Sequence, residues 1–530
     1  MTDRLNVQTL KTMITDGEEI ALLDVREEGQ FGEGHLLFTV PAPYSVLETR
    51  LGAIMTRKSA RTVLVDDGDG VSEKAAARMT ELGFTDVSIL DGGVPAWAAA
   101  GYEIFKGVNV PCKAFGEVVE HAAHTPSISA EELNAMFENK EDLVVVDGRT
   151  PAEYKRMSIP NGISVPNAEL VYRIHELAPS PDTTVVVNCA GRTRSIIGAQ
   201  TLINAKIPNK VVALRAGTMG WNLAGFELDH GATRRYPEVS AEGMKVAQQR
   251  AADMVARYNI KKTDLATVDK WRGDANRSLH LLDVRDQAEY EAGHLPGAVH
   301  APGGQLVQAT DAWIGTKGAR VVLTDDTEIR AITAAHWFVQ MDWEVYVLEG
   351  GIGDAGTEKG IPPRNVLGLE DITVDTISPQ DLSQALADGT AVAVDLDVSG
   401  NYRERRLPGA YWGIRPRLDR LAAELPAGKT VVLYSEHETR ARLAVADMRA
   451  ATDAPVAILA GGREAWVAAG LPTESSGGAP ADSDRIDFLF FVHDRHDGNE
   501  QAMRDYLSWE EQLPAQIDAD GDAAFTVIAP

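Results

Sequence analysis

An α/β chain of four tandem domains is predicted by three observations. One strand-and-helix pattern recurs four times, and each copy holds apolar runs of strand length separated by helix-like stretches. The chain is also 530 residues long, too long for one core but suited to four domains of roughly 100 residues each.

Each copy opens on an apolar run that ends in Asp: Leu22-Leu23-Asp24-Val25-Arg26, Val145-Val146-Asp147-Gly148-Arg149, Leu281-Leu282-Asp283-Val284-Arg285 and Val392-Ala393-Val394-Asp395. Short apolar and β-branched runs of this kind fit a buried strand. A turn marked by Pro or Gly follows a helix-like stretch, clearest in Gly293-His294-Leu295-Pro296-Gly297-Ala298 and Arg406-Leu407-Pro408-Gly409-Ala410. A second apolar strand, a loop and a helix come next. The copies close on Leu90-Asp91-Gly92-Gly93, Leu214-Arg215-Ala216-Gly217, Leu348-Glu349-Gly350-Gly351 and Leu459-Ala460-Gly461-Gly462, and Trp97, Trp221 and Trp466 follow the first, second and fourth of these turns.

The loop after the second strand carries the chemistry. In the second copy it reads Val185-Val186-Val187-Asn188-Cys189-Ala190-Gly191-Arg192-Thr193-Arg194-Ser195. A cysteine between a strand and a helix meets backbone N–H groups and the positive end of the helix dipole, and Arg192 and Arg194 add two cations. These features predict a depressed Cys189 pKa and a reactive thiolate; the alternative is a buried structural cysteine. Asp147 and Cys189 are 42 residues apart, and the same offset from Asp24 and Asp283 lands on Asp66 and Asp325. In the fourth copy the equivalent loop begins near Ser435, beside His437, without an orienting acid or oxyanion donors that would make it a serine nucleophile. One chemical centre is therefore expected among three silent replicas.

The Asp-x-Arg strand end, the His-Leu-Pro-Gly-Ala turn, the Cys loop and the Gly-Gly…Trp close together resemble the rhodanese superfamily over almost the whole chain. That resemblance implies a central parallel sheet flanked by helices in every domain, and a persulfide intermediate on the loop cysteine. Carried over, it makes Cys189 the nucleophile and Ala190, Gly191, Arg192, Thr193, Arg194 and Ser195 its cradle. The second copy departs from the family pattern twice, with Ser158 where the turn usually has His and Arg215 where Asp91 and Glu349 stand in other copies. Arg215 would raise the positive potential over an anionic substrate, or is an exposed turn residue. The resemblance gives the turn His a packing role rather than a chemical one.

The expected reaction is transfer of the sulfane sulfur of thiosulfate through Cys189 to cyanide, a small thiol or a protein thiol, with ping-pong kinetics and no cofactor. The dianion would be drawn to Arg192, Arg194 and Arg215. Sulfite is a weakly basic leaving group, so no general acid is required. Three rival readings remain: 3-mercaptopyruvate as donor, a phosphatase or arsenate reductase, and a non-catalytic sulfur relay or scaffold. The loop is Cys-x4-Arg, one residue shorter than the Cys-x5-Arg loop of the phosphatases and arsenate reductases on related folds, and so a tighter cradle.

The formal net charge of −27 argues against a nucleic-acid or anionic-membrane partner. Two cysteines make no disulfide framework, and neither a signal pattern nor a long apolar run is present, so the cytoplasm is the expected location. A homo-oligomer is compatible with this reading.

The domains are expected at residues 1–107, 125–232, 260–366 and 376–475, with an extension at 476–530. Cys112 falls in the first connector, as an incidental linker cysteine or a resolving thiol, and the second connector holds a helix-like Val239-to-Arg257 segment. In the extension, Asp487–Val492 reads as a buried strand and Gln501–Leu513 as a helix that docks on a domain or another subunit. Between them, His493-Asp494-Arg495-His496-Asp497-Gly498-Asn499 offers metal-ligating residue types without a complete ligand pattern, and a turn capping the next helix explains it equally well.

Overall fold

The computed structural model describes residues 2–493, 495 and 499–528. Four five-stranded sheets succeed one another, each with its strands in the order first-fifth-fourth-second-third. All strand pairings within them are parallel. Buried β-branched residues fill the central strands because helices cover both faces. In the second domain Leu143–Asp147 pairs with Thr184–Asn188, Asp147 opposite Asn188, and Ser127–Ile128 and Ile163–Ser164 form the edges. The strand Thr184–Asn188 thus delivers Cys189 to the carboxyl end of the sheet, where ligands bind in open α/β sheets.

The repeated motifs have structural causes. Arg26, Arg149 and Arg285 fold back onto Asp24, Asp147 and Asp283 through paired hydrogen bonds and also donate to the carbonyls of Gly34, Met157 and Gly293. The fourth domain has Asp397 in place of that Arg. There Arg463 supplies the cation, 2.7 Å from Asp397 and 3.6 Å from Asp395. The tryptophans after the closing turns donate to the carbonyls of Glu103, Glu227 and Pro472, pinning the chain as it leaves each domain. His35 and His294 stack on Phe31 and Tyr290 at 3.9 and 3.8 Å and are buried, which is a packing role.

The chain forms two compact units. One contains residues 1–10, 21–108 and 364–492, and so the sheets of the first and fourth domains. The other contains 11–20, 109–363 and 493–530, and so the second and third domains with the C-terminal helix. Within this second unit one apolar core runs through both domains, joining Phe115, Ile196 and Ile197 to Leu306, Ile332 and Trp337. Two polar contacts tie the same domains at equivalent positions: Arg194 donates to Gln305 at 3.0 Å, and Arg330 donates to Glu169 at 3.0 Å.

Two expectations need correction. Cys112 lies in the connector between the first two sheets, but that connector is the helix Val110–Ala123 rather than a plain linker, with the Cys112 sulfur 3.5 Å from Thr310 Oγ1, and burial pushes its thiol up to about 11. Pro111 in the first turn starts that helix instead of marking a linker. The expected strand over Asp487–Val492 is a short helix, Phe490–His493, preceded by irregular chain. Its carbonyls and apolar side chains pack on glycines: a Cβ on Gly29 would meet Ile486 O at 2.5 Å, and one on Gly32 would meet Leu489 Cδ2 at 2.5 Å.

The connector helix spans Ala241–Tyr258, and the C-terminal helix spans Glu500–Asp520, longer than expected because it continues through Pro514. Asn499 accepts from the Ala502 amide and caps the latter. Asp494, His496, Asp497 and Gly498, part of the metal-ligating stretch, lie outside the described residues.

Candidate active site

Cys189 follows its strand directly and precedes the helix Thr193–Asn204. Among the described residues the amides of Ala190, Gly191, Arg192, Thr193 and Arg194 donate to no protein acceptor. They are consecutive donors leading into the positive end of a twelve-residue helix. Ser195 Oγ lies 3.4 Å from Cys189 Sγ and donates to the Arg192 carbonyl at 2.8 Å.

The closing glycine explains how this loop is held. A Cβ on Gly217 would sit 2.3 Å from the Cys189 carbonyl oxygen, and φ is +52°, so only glycine lets the next helix start against the loop. Thr218 and Met219 then donate to the carbonyls of Cys189 and Ala190 at 2.9 and 3.0 Å.

The replicas show what the cradle accepts. Asp66 takes amide hydrogen bonds from Gly68 and Ser72 at 2.9 and 3.0 Å, and Asp325 takes one from Arg330 at 3.0 Å. In two domains, then, an anionic acceptor fills the place of the cysteine sulfur.

The sulfur itself is closed over. Cys189 is 2% exposed, and burial raises its pKa above the ordinary value; Arg194 and Ser195 pull it down, while Glu510 pushes it further up. The expected depression of the thiol is therefore reversed, because the loop's cations are balanced and its surroundings exclude water. Met219, Tyr506 and Glu510 crowd the loop two residues on: a Cβ on Gly191 would meet them at 2.8, 3.6 and 3.1 Å.

Arg192 is bound by three carboxylates. It makes a paired contact with Glu117, reaches Glu511 at 3.0 Å and also meets Glu120. Arg194 donates twice to Glu153, at 2.8 and 2.6 Å, and to Gln305. Burial pushes the Glu153 carboxyl up, but Arg194 and the Thr150 cap overcome it and hold it down at about 2. Arg215 is exposed with its guanidinium 3.4 Å from Ser127 Oγ, and it does not line the cleft beside the cysteine.

That cleft has a volume of about 730 Å³ and is lined by Ala190, Met219, Met503, Arg149, Arg156 and Arg495 among others. Arg156 is exposed at its rim and makes no ion pair among the described residues. Sequence reasoning missed Arg156, Glu117, Glu153 and Glu510. Only Glu153 left a local signal, as the fourth residue of the capping box Thr150-Pro151-Ala152-Glu153.

The Rhodanese-like domain profile matches residues 6–100, 129–224, 265–355 and 378–469. The chain belongs to the rhodanese family, as four rhodanese-like domains. It is similar along its length to a crystal structure of a thiosulfate sulfurtransferase from Pseudomonas aeruginosa, with 44% identity, a TM-score of 0.94, and coverage of 99% of this chain and 100% of that one. A thiosulfate sulfurtransferase of Azotobacter vinelandii is 24% identical over 216 residues, covering 33% of this chain and 79% of that protein. A sulfurtransferase of Allochromatium vinosum is 30% identical over 101 residues, covering 19% of this chain and 92% of that protein. No helix among the described residues is long and apolar enough to cross a membrane.

Proposed function

We propose that the protein transfers the sulfane sulfur of thiosulfate, through a persulfide on Cys189, to cyanide or a thiol. The observation that carries this reading is the run of five amides, without a protein acceptor among the described residues, that directly follows Cys189 at a register where two sister domains seat a carboxylate. The similarity to proteins named thiosulfate sulfurtransferase supports the choice of donor.

In the first half-reaction the Cys189 thiolate attacks the outer sulfur of the donor. The Sγ–S bond forms as the S–S bond of thiosulfate breaks, and sulfite leaves with the electron pair. The free amides of this loop would hold the persulfide anion, as the amides of Gly68, Ser72 and Arg330 hold carboxylates in the replicas. Arg192 and Arg194, engaged by Glu117, Glu120, Glu511 and Glu153, shape the loop rather than receive the donor. Arg156 at the rim of the cleft, exposed and without an ion pair among the described residues, is the cation placed to meet it.

The same neutralised loop favours 3-mercaptopyruvate as a second reading, because a monoanion needs less positive potential than a dianion. Steady-state turnover tests both. Thiocyanate formation from thiosulfate and cyanide with parallel ping-pong lines, abolished in Cys189→Ser, is the expected result. Turnover with mercaptopyruvate but not thiosulfate would replace the donor. Retained turnover in Cys189→Ser would overturn the reading.

A further inference from the structure

Glu510, on the C-terminal helix, is a carboxylate with one oxygen anchored and the other free. Oε1 accepts from Tyr506 Oη at 2.8 Å and from Thr193 Oγ1 at 3.4 Å. Oε2 is buried and has no hydrogen-bond partner among the described residues, and the residue is 2% exposed. That free oxygen faces the loop, 3.1 Å from where a Cβ on Gly191 would stand, so the missing side chain at Gly191 is what lets it approach. The other carboxylates on the loop each have a cation: Glu117, Glu120 and Glu511 have Arg192, and Glu153 has Arg194. Glu510 has none within ion-pair distance among the described residues. Lys113 and Arg495 lie on the same side of the helix but over the aromatic rings, Lys113 above Tyr506 and Trp509 and Arg495 above Tyr506. An unsatisfied buried carboxylate oxygen is costly, and such atoms in native structures call for an explanation.

The first half-reaction gives Glu510 no task, because sulfite leaves without a proton. Sulfite returning to the persulfide gives it none either, since it attacks as the dianion; cyanide is no such control, because at neutral pH it too is largely protonated, as HCN. A thiol acceptor is different: an ordinary thiol has a pKa near 8.5 and arrives at neutral pH as RSH. It must lose its proton before its sulfur can attack.

We propose that Glu510 is the catalytic base for a thiol acceptor, which makes a thiol the acceptor class this site is built for. The proposal rests on the persulfide reading above. The acceptor's proton passes to Glu510 Oε2. Its sulfur bonds to the outer sulfur as the Cys189 Sγ–S bond breaks, and the electron pair stays on Cys189 as thiolate. Glu510 then returns the proton to the terminal sulfur of the product. The balance is Cys189–S–S⁻ + RSH → Cys189–S⁻ + RSSH, with no oxidant or reductant required.

The test loads full-length wild type and Glu510→Gln with thiosulfate, verifies one added sulfur by mass, and measures discharge by 2-mercaptoethanol and by sulfite separately, at a pH above the second ionisation of sulfite and below that of the thiol. The ratio of the thiol rate to the sulfite rate is expected to fall about 10²-fold in Glu510→Gln, and Glu510→Asp is expected to restore part of it. A ratio equal to that of wild type, whether both rates hold or both fall together, overturns the proposal. A wild type that takes up no sulfur fails earlier, at the loading step, and removes the persulfide reading along with it.

Discussion

Replacing Gly217 by Ala tests whether the closing turn positions the cysteine. The new Cβ would stand 2.3 Å from the Cys189 carbonyl oxygen, where ordinary contacts begin at 3.4 Å. The loop must therefore recede by about 1 Å, a displacement that can cost about 10²-fold in rate. The left-handed φ adds about 1–2 kcal/mol for a residue with a Cβ, and loss of the Thr218 to Cys189 hydrogen bond adds about 1 kcal/mol. Gly93 is an internal control, since it has φ +57° and its Cβ would lie 2.1 Å from the Asp66 carbonyl in a domain without the thiol. Both variants are expected to lower the melting temperature by a few degrees. Only Gly217→Ala is expected to slow sulfur loading, measured as the rate of persulfide formation in single turnover. Loading at the wild-type rate in Gly217→Ala, or an equal loss in Gly93→Ala, would refute the positioning argument.

Other expectations follow from the same geometry. Because the Cys189 pKa is raised, the thiolate is the minor form at neutral pH, and the loading rate should climb by up to about tenfold per pH unit until that pKa is reached; a plateau already present below pH 7 would contradict it. Arg192→Met leaves the buried Glu117 carboxylate without its partner and should destabilise the fold by about 3–5 kcal/mol in urea titration, whereas a neutral result would show that this pair is not structurally required. Arg156→Ala should raise KM for thiosulfate with little change in kcat, while Arg215→Ala should leave both near wild type. The reverse pattern would restore Arg215 as the anion receptor.

The parts of the fold written in local pattern were readable directly. The four Asp strand ends, the Cys loop and the Gly-Gly closes each depend on neighbours a few residues away, and the offset that equates Asp66 and Asp325 with Cys189 survives as structural register, each directly following the corresponding strand of its own domain. The charge state of the site was not readable. Glu117 and Glu510 lie 75 and 317 residues from the side chains they meet in the loop, so nothing near Arg192 or Thr193 announces them. Two adjacent arginines therefore suggested an open anion site, and burial reversed the sign of the thiol shift. The run Asp487–Val492 misled for another reason. Its apolar residues are used against Gly29 and Gly32 through backbone and side-chain contact, with no strand partner, which periodicity cannot distinguish from a buried strand.

The central claim is that sulfur rests covalently on Cys189, and intact mass measures it most directly. Wild type and Cys189→Ser are treated with thiosulfate, weighed, and weighed again after cyanide. A gain of one sulfur atom on wild type alone, removed by cyanide, is the predicted result. No gain on wild type, or the same gain on Cys189→Ser, would contradict the account.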